Sequence, residues 1–311
     1  MFLKFHCMID ISVIIVNYNT CQITIQCLDS IFRYTKDVDF EVIVVDNCSE
    51  RDDSKIALAK YPGIIYIQSE KNLGFGKANN LGYEKSSGKY VLLLNSDTYL
   101  MNNALKYIVD TFNYLPENVA CVGAQLLSPE GNDNNSYGEL PSIKRSLKSI
   151  MDLYLFPLGI RKVNSNNIVS NVLPFEVPYV MGADLCIRKT VIDKLGLFDP
   201  DFFMYYEESE MQYRYQKAGY KSMIISGPKI VHLECASTRV KSNKRYTYTN
   251  RKMFLQGQFL YFRKRYNYLV YIIYRILFLL NFPLYLRNYY SLGDRIKLIG
   301  RLFSSTRLSR Q

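Results

Sequence analysis

The sequence predicts an α/β protein built on a mostly parallel sheet. Strand-like apolar runs recur four times in the first hundred residues, and segments with helical apolar spacing separate them. The first, second and fourth runs stop abruptly on Asn or Asp, at Asn17, Asp46 and Asn95 to Asp97. Open parallel sheets place ligand groups at the carboxyl ends of their strands.

Ile11–Asn17 is β-branched and reads as the first strand. Thr20–Tyr34 follows as a helix, with Ile23, Cys27, Leu28, Ile31 and Phe32 at helical spacing. Phe40–Val45 is the second strand, Ser54–Lys60 a short helix and Ile64–Gln68 the third strand. Gly74–Glu84 reads as a helix whose small residues Ala78 and Gly82 permit close packing, and Tyr90–Leu94 as a strand buried on both faces. This alternation implies right-handed crossovers between parallel strands. A helix over Asn103–Tyr114 and a strand over Ala120–Leu127 come next. Residues 128–174 are polar and Asn/Ser-rich and read as a long connection. Order returns over Val177–Arg188, helix Glu207–Ala218, and strands Lys221–Ser226 and Lys229–Leu233.

Composition excludes several classes. The 311 residues are 48% hydrophobic and 22% charged, which is globular and not disordered. The seven cysteines are scattered, with no CxxC pair, so neither a disulfide framework nor a zinc ribbon is expected. No secretory signal is expected at the start, and a reducing compartment fits. The net charge of +11 divides unevenly. Residues 241–311 carry 15 Lys/Arg and one acid, a net +14, against 24 bases and 27 acids, a net −3, before them. That tail also holds the apolar, aromatic stretch Tyr268 to Leu286, interrupted by Arg275, Asn281 and Pro283. A segment lying in the interface of an anionic membrane leaflet fits this pattern, with a core helix or a bilayer span as the alternatives. The aromatics form a continuous apolar run and do not alternate with polar residues, so no nucleic acid partner is expected.

Four constellations could carry chemistry. Asn17-Tyr18-Asn19 and Asp46-Asn47 share a rim where a carboxylate can accept from a base or ribose and a Tyr can stack; ordinary turn chemistry is the alternative. Asn72, Gly74 and Ala78 lie in a Gly-rich loop that opens a helix, an arrangement suited to phosphate, although neither GxGxxG nor a P-loop is present. Asn95-Ser96-Asp97 offers oxygen donors for a hard divalent cation or a cap for the next helix, and His232 could add a nitrogen ligand. Glu207, Glu208 and Glu210 open a helix behind an aromatic run, where partial burial would raise a carboxylate toward a useful base; plain dipole complementation is the alternative.

Taken in order, the segments SVIIVNYN (12–19), VIVVDNCSERDDS (42–54), NLGFGKANNLG (72–82), GKYVLLLNSD (88–97), GADLCIRK (182–189), GLFDPDFFMYYEESEMQYR (196–214) and IVHLECAS (230–237) resemble the inverting glycosyltransferases of family 2, nearest the bacterial rhamnosyltransferase-like members. The resemblance implies a GT-A fold: a Rossmann-like, mostly parallel central sheet flanked by helices, here with a C-terminal basic and aromatic helical appendage. It implies a catalytic domain over residues 1–240, with a nucleotide-binding half (1–100) and a metal and acceptor half (101–240), and a membrane-associating region over 241–311. By resemblance, Asp46 contacts the nucleotide base with Val16, Asn17, Tyr18 and Asn19 alongside, and Asn72, Gly74 and Ala78 line the nucleotide. Asn95 and Ser96 lead into Asp97, the acid that holds a divalent Mn²⁺ or Mg²⁺, with His232 completing that site. Glu208 takes the slot of the catalytic Asp, one methylene longer, with Glu207 as the alternative base. The expected activity is single-displacement transfer of a sugar, rhamnose among the options, from a UDP- or dTDP-sugar to a hydroxyl of a glycan or polyprenyl-linked glycan. The expected setting is cell-surface polysaccharide synthesis at the cytoplasmic face of the membrane. A catalytically silent module of the same fold, assembling at the membrane, is the rival; a dinucleotide-dependent oxidoreductase is disfavoured by the missing GxGxxG.

Overall fold

A computed structural model describes residues 9–51, 54–155, 173–233 and 248–285, with residues 293, 296, 297 and 300. The chain divides into two compact units, Met1–Leu140 with Asn171–Asn243 and Pro141–Ser170 with Lys244–Gln311.

The first unit is a mixed α/β layer structure. Its strands are β1 (Ile11–Asn17), β2 (Phe40–Asp46), β3 (Ile64–Gln68), β4 (Tyr90–Asn95), β5 (Thr98–Leu100), β6 (Val119–Ala124), β7 (Tyr137–Gly138), β8 (Phe175–Val177), β9 (Tyr179–Val180), β10 (Asp184–Arg188), β11 (Lys221–Ile225) and β12 (Ile230–His232). Its helices are α1 (Cys21–Tyr34), α2 (Ser54–Ala57), α3 (Phe75–Tyr83), α4 (Ala104–Tyr114), α6 (Lys189–Leu195) and α7 (Glu207–Lys217). The second unit holds α5 (Ile143–Leu155), α8 (Tyr248–Arg265) and α9 (Tyr268–Tyr285).

Eight strands form the central sheet in the order β3-β2-β1-β4-β10-β6-β11-β8. The first four are parallel, β10 runs antiparallel between β4 and β6, and β11 is parallel to β6. The period-2 alternation of the strands sorts the core into two layers. Ile11, Val13 and Ile15 of β1, Val42 and Val44 of β2, and Leu92 and Leu94 of β4 face one layer with α1 and α4. Ile14, Ile43, Val45, Val91 and Leu93 face the other, with Ala78 of α3 and Met211 and Tyr215 of α7. Helix α3 lies close against the sheet because Gly82 has no side chain. A Cβ there would stand 2.6 Å from Ile14 Cγ2 and 3.2 Å from Val45 Cγ2.

The four strands read from the first hundred residues are β1 to β4, and the short β5 is not among them. The long connection read over 128–174 is a correction. It contains β7, which pairs with β9, and the thirteen-residue helix α5. Its Ser and Asn content hid the helix, whose partners come from the far end of the chain. Tyr266 Oη accepts from the Ile143 N–H at 3.4 Å, and Ser146 Oγ lies 2.9 Å from Tyr274 Oη.

Candidate active site

Register carries the site. Because β1 pairs with both β2 and β4, Asn17 stands opposite Asp46 and Val16 opposite Asn95. The polar ends of three strands therefore meet on one rim.

Asn17 is the hub of that rim and is fully buried. Its Nδ2 donates to Asp46 Oδ2 at 2.7 Å and to Ser54 Oγ at 2.8 Å, while its Oδ1 accepts from Thr20 Oγ1 at 3.0 Å and Thr24 Oγ1 at 2.8 Å. Asp46 is equally buried, and its Oδ1 accepts from the Ser49 N–H and from Gln68 Nε2, both at 2.9 Å. Asn19 adopts a left-handed backbone (φ 57°) and its Oδ1 caps the N–H groups of Glu50 and Arg51 at 3.0 and 2.9 Å. Tyr18 beside it is 45% exposed and offers a free ring face. Val16 packs partly buried against the second core layer.

The next segment is tied on through Asn47, which the sequence places beside Asp46 on the rim with turn chemistry as the alternative. Its Oδ1 accepts from the Leu73 N–H at 2.8 Å and its Nδ2 donates to Asn72 Oδ1 at 3.0 Å. Asn72 Oδ1 also accepts from the Gly74 N–H at 2.9 Å. Gly74 has φ +80°, and a Cβ there would stand 2.0 Å from the Phe203 carbonyl oxygen, which accepts from the Phe75 N–H at 3.0 Å. Only glycine fits this position. Ala78 differs from its expected place: it is fully buried in the core under this loop and does not reach the rim.

On the β4 side, Ser96 and Asp97 form the turn into β5. Ser96 Oγ lies 3.2 Å from Thr20 Oγ1, linking this turn to the Asn17 hub. The β5–β12 ladder sets His232 opposite Thr98, and the Asp97 carbonyl accepts from the Leu233 N–H at 2.9 Å. His232 Nε2 thereby stands 3.3 Å from Asp97 Oδ1, with both side chains less than one-fifth exposed.

Helix α7 brings the acids. Tyr205 and Tyr206, immediately before it, both sit at positive φ (71° and 73°), a strained turn that swings the helix start inward. Glu207 is 2% exposed, and burial, with the neighbouring Glu208 charge, pushes its carboxyl up to about 8. Burial also raises Glu208, whose carboxylate takes a backbone hydrogen bond from Gly182. A Cβ at Gly182 would stand 3.3 Å from Glu208 Oε1. In each of the two glutamates, Oε2 is buried without a hydrogen-bond partner. Glu210 differs: it pairs with Arg214 at 3.1 Å and serves the helix surface.

These contacts close a circuit within one unit. Asp46 leads through Asn17, Thr20 and Ser96 to Asp97 and His232. Asn47 leads through Gly74 to Phe203 and the start of α7. Glu208 meets Gly182, and the carbonyl of the adjacent Ala183 accepts from the Asn95 N–H at 3.0 Å, back at the end of β4. Of the residues that join the segments, Thr20, Gln68, Gly182 and Phe203 had no role assigned from the sequence, and Asn47 was named only beside Asp46 on the rim.

Among the described residues, no group of three or more His, Cys, Asp or Glu stands ready for a metal. The Asp97–His232 pair supplies one hard oxygen and one nitrogen, a donor set that fits Mn²⁺ or Mg²⁺ only when phosphate oxygens and water complete the shell.

The family profile described as Glycosyl transferase family 2 matches residues 12–162, and that described as Glycosyl transferase family group 2 matches residues 90–304. The chain is 25% identical over 211 residues to an N-acetylglucosaminyl-diphospho-decaprenol L-rhamnosyltransferase of Mycobacterium tuberculosis, covering 63% of this chain and 67% of that protein. It is 27% identical over 209 residues to a low-salt glycan biosynthesis hexosyltransferase of Haloferax volcanii, covering 66% of this chain and 61% of that one. Its fold resembles S. aureus TarS, at TM-score 0.55 and 15% identity over 96% of this chain and 83% of that one. It also resembles a mannosyltransferase from Pyrobaculum calidifontis in complex with GDP-Man and Mn²⁺, at TM-score 0.53 and 16% identity over 95% of this chain and 80% of that one.

Proposed function

The chain belongs to the family 2 glycosyltransferases, and on that premise we propose that it is an inverting enzyme of cell-surface polysaccharide synthesis. It moves a sugar from a UDP- or dTDP-sugar to a hydroxyl of a glycan or polyprenyl-linked glycan. The name of the mycobacterial relative supports rhamnose as the sugar and a lipid diphosphate as the acceptor's carrier. Work on such an acceptor fits a peripheral position at the cytoplasmic face of the membrane. The observation that carries the reading is the contact circuit that brings Asp46, Asp97 and Glu208 to one rim.

In this reading the donor's base lies over the Asp46 rim, with Tyr18 as its stacking face. Gln68 and Asn17 both hold Asp46, which fixes the rim beneath it. The Asn72–Gly74 turn at the start of α3, its N–H groups held by Asn47 and Asn72, lines the nucleotide as part of the cleft wall. Asp97 and His232 would hold a divalent cation, which when bound neutralises charge on the departing diphosphate. Glu208 takes the acceptor hydroxyl's proton on its bare Oε2. The freed oxygen bonds to the anomeric carbon as the bond from that carbon to the diphosphate oxygen breaks. The nucleoside diphosphate leaves with the electron pair, and the anomeric configuration inverts in one displacement. Glu207, buried one position earlier with its Cβ beside Gly76, has its carboxyl raised by burial and so favours its protonated form.

The test pairs Glu208→Gln with Asp97→Ala, measuring turnover and nucleotide binding separately. Glu208→Gln is expected to lower kcat by about 10²- to 10⁴-fold while donor binding stays near wild type. Asp97→Ala is expected to abolish the metal dependence of nucleotide binding. Near-wild-type turnover in both variants would end the assignment, and retained binding with no transfer or donor hydrolysis in the wild type would favour a silent module.

A further inference from the structure

Helix α9 is apolar on nearly every side, a pattern that belongs to buried or membrane helices. One side is accounted for within the second unit. Tyr271, Tyr274, Phe278 and Leu279 are buried, with Tyr274 edge-on to Phe262 at 4.8 Å and Phe278 edge-on to Phe259 at 5.3 Å. The other side is bare. Leu269, Ile273, Ile276 and Leu280 recur at helical spacing in one line and are 69, 50, 53 and 72% exposed. Arg275, the one charge in the helix, stands off this ridge with its guanidinium 5.9 Å from the Phe259 ring centre. Among the described residues, no helix is long and apolar enough to cross a membrane.

The unit that carries the ridge has charge of predominantly one sign. The unit comprising residues 141–170 and 244–311 carries 19 Lys/Arg against two Asp, a net +17, whereas the other unit carries 20 against 26 acids, a net −6. Lys144, Arg145 and Lys148 of α5 and Arg263 and Lys264 at the end of α8 are exposed. A second copy of this chain would bring +17 against +17. An aqueous polyanion would satisfy the charge and leave four large apolar side chains in water.

We propose that this ridge is the seat of the protein on an anionic phospholipid bilayer. Helix α9 lies along the interface, with Leu269, Ile273, Ile276 and Leu280 among the acyl chains and the basic side chains at the head groups. The proposal deepens the reading of a lipid-carried acceptor and rests on it for its purpose, while its physical content stands apart.

The full chain is sedimented with phosphatidylglycerol/phosphatidylcholine vesicles and with phosphatidylcholine vesicles alone. Wild type is expected to sediment with the anionic vesicles and to be released by salt. The double variant Ile273→Asn, Leu280→Asn is expected to bind them about tenfold more weakly or worse, since burying each such side chain is worth more than a factor of ten. The triple variant Lys144→Gln, Arg145→Gln, Lys148→Gln should lose binding chiefly at low salt. Circular dichroism of each variant checks that the helices persist. Transfer to a water-soluble acceptor should be unchanged in the ridge variant, so loss of vesicle binding and failure of the transferase reading register separately. Wild type left in the supernatant, a ridge variant that sediments like wild type, or a wild-type dimer that the ridge variant converts to monomer would each overturn the proposal.

Discussion

Asp46 and the Glu207–Glu208 pair are carboxylates shielded on the same rim, and their surroundings differ in kind. Asp46 receives Asn17 Nδ2, the Ser49 N–H and Gln68 Nε2, so its oxygens are engaged by the protein. Each glutamate keeps a buried Oε2 with no donor, and both carboxyls are raised, first of all by burial. A carboxylate held by several donors is an anchor. One stripped of water, with only backbone donors on one side and an oxygen left without any, is favoured in its protonated form. In the proposed reaction the Asp46 side of the rim fixes geometry and the glutamate side takes the proton.

The largest effect that can break this contrast lies between Glu208 and Asp46. Glu208→Gln should cost about 10²- to 10⁴-fold in kcat and little stability, because its shape is kept and a buried charge is removed. Asp46→Asn should do the reverse. It turns an amide toward donors that need an acceptor, costing about 1–3 kcal/mol of stability and raising donor KM more than it lowers kcat. Denaturant titration beside steady-state kinetics reads both, and a kcat loss at Asp46 as large as that at Glu208 would erase the distinction.

Next comes the joint between the two sides. Gly74 touches Phe203, and Phe203 leads into the strained Tyr205–Tyr206 turn that aims α7. Gly74→Ala adds about 1–3 kcal/mol of backbone strain before the clash with the Phe203 carbonyl is counted. Both donor KM and kcat should suffer, because the loop and the helix start must move together. A KM change with kcat intact would mean that the two sides are independent.

Much of this arrangement was legible in the chain. Strand-end acids and alternating apolar runs need only local pattern, and Asn17, Asp46 and Asp97 fall where that pattern put them. What was not legible is long-range. Asn47, Gly182 and Phe203 act through partners 25 to 129 residues away, and local pattern does not say which partners those are. Ala78 was misplaced for the same reason: the Gly-rich loop marks a helix start but not which of its small residues face the sheet. Helix α5 was hidden because groups it bonds to, the hydroxyls of Tyr266 and Tyr274, come more than 100 residues later.

The smallest expected effect isolates Glu207. Its folded-state value of about 8 lies above its ordinary 4.5, so the folded protein holds this proton more tightly than the unfolded chain does. The stability it contributes is fully present below about pH 4.5 and is lost as pH rises through 8. Glu207→Gln carries a neutral side chain of the same shape and has no such loss. The melting temperature of the variant relative to wild type should therefore rise from about pH 4.5 to about pH 8 and level off above it. Glu208→Gln removes the neighbouring charge that helps raise Glu207, so that change should fall at lower pH in its background. A difference that stays flat across this range would place Glu207 among the anchors with Asp46, and the division of the rim into two sides would then rest on Glu208 alone.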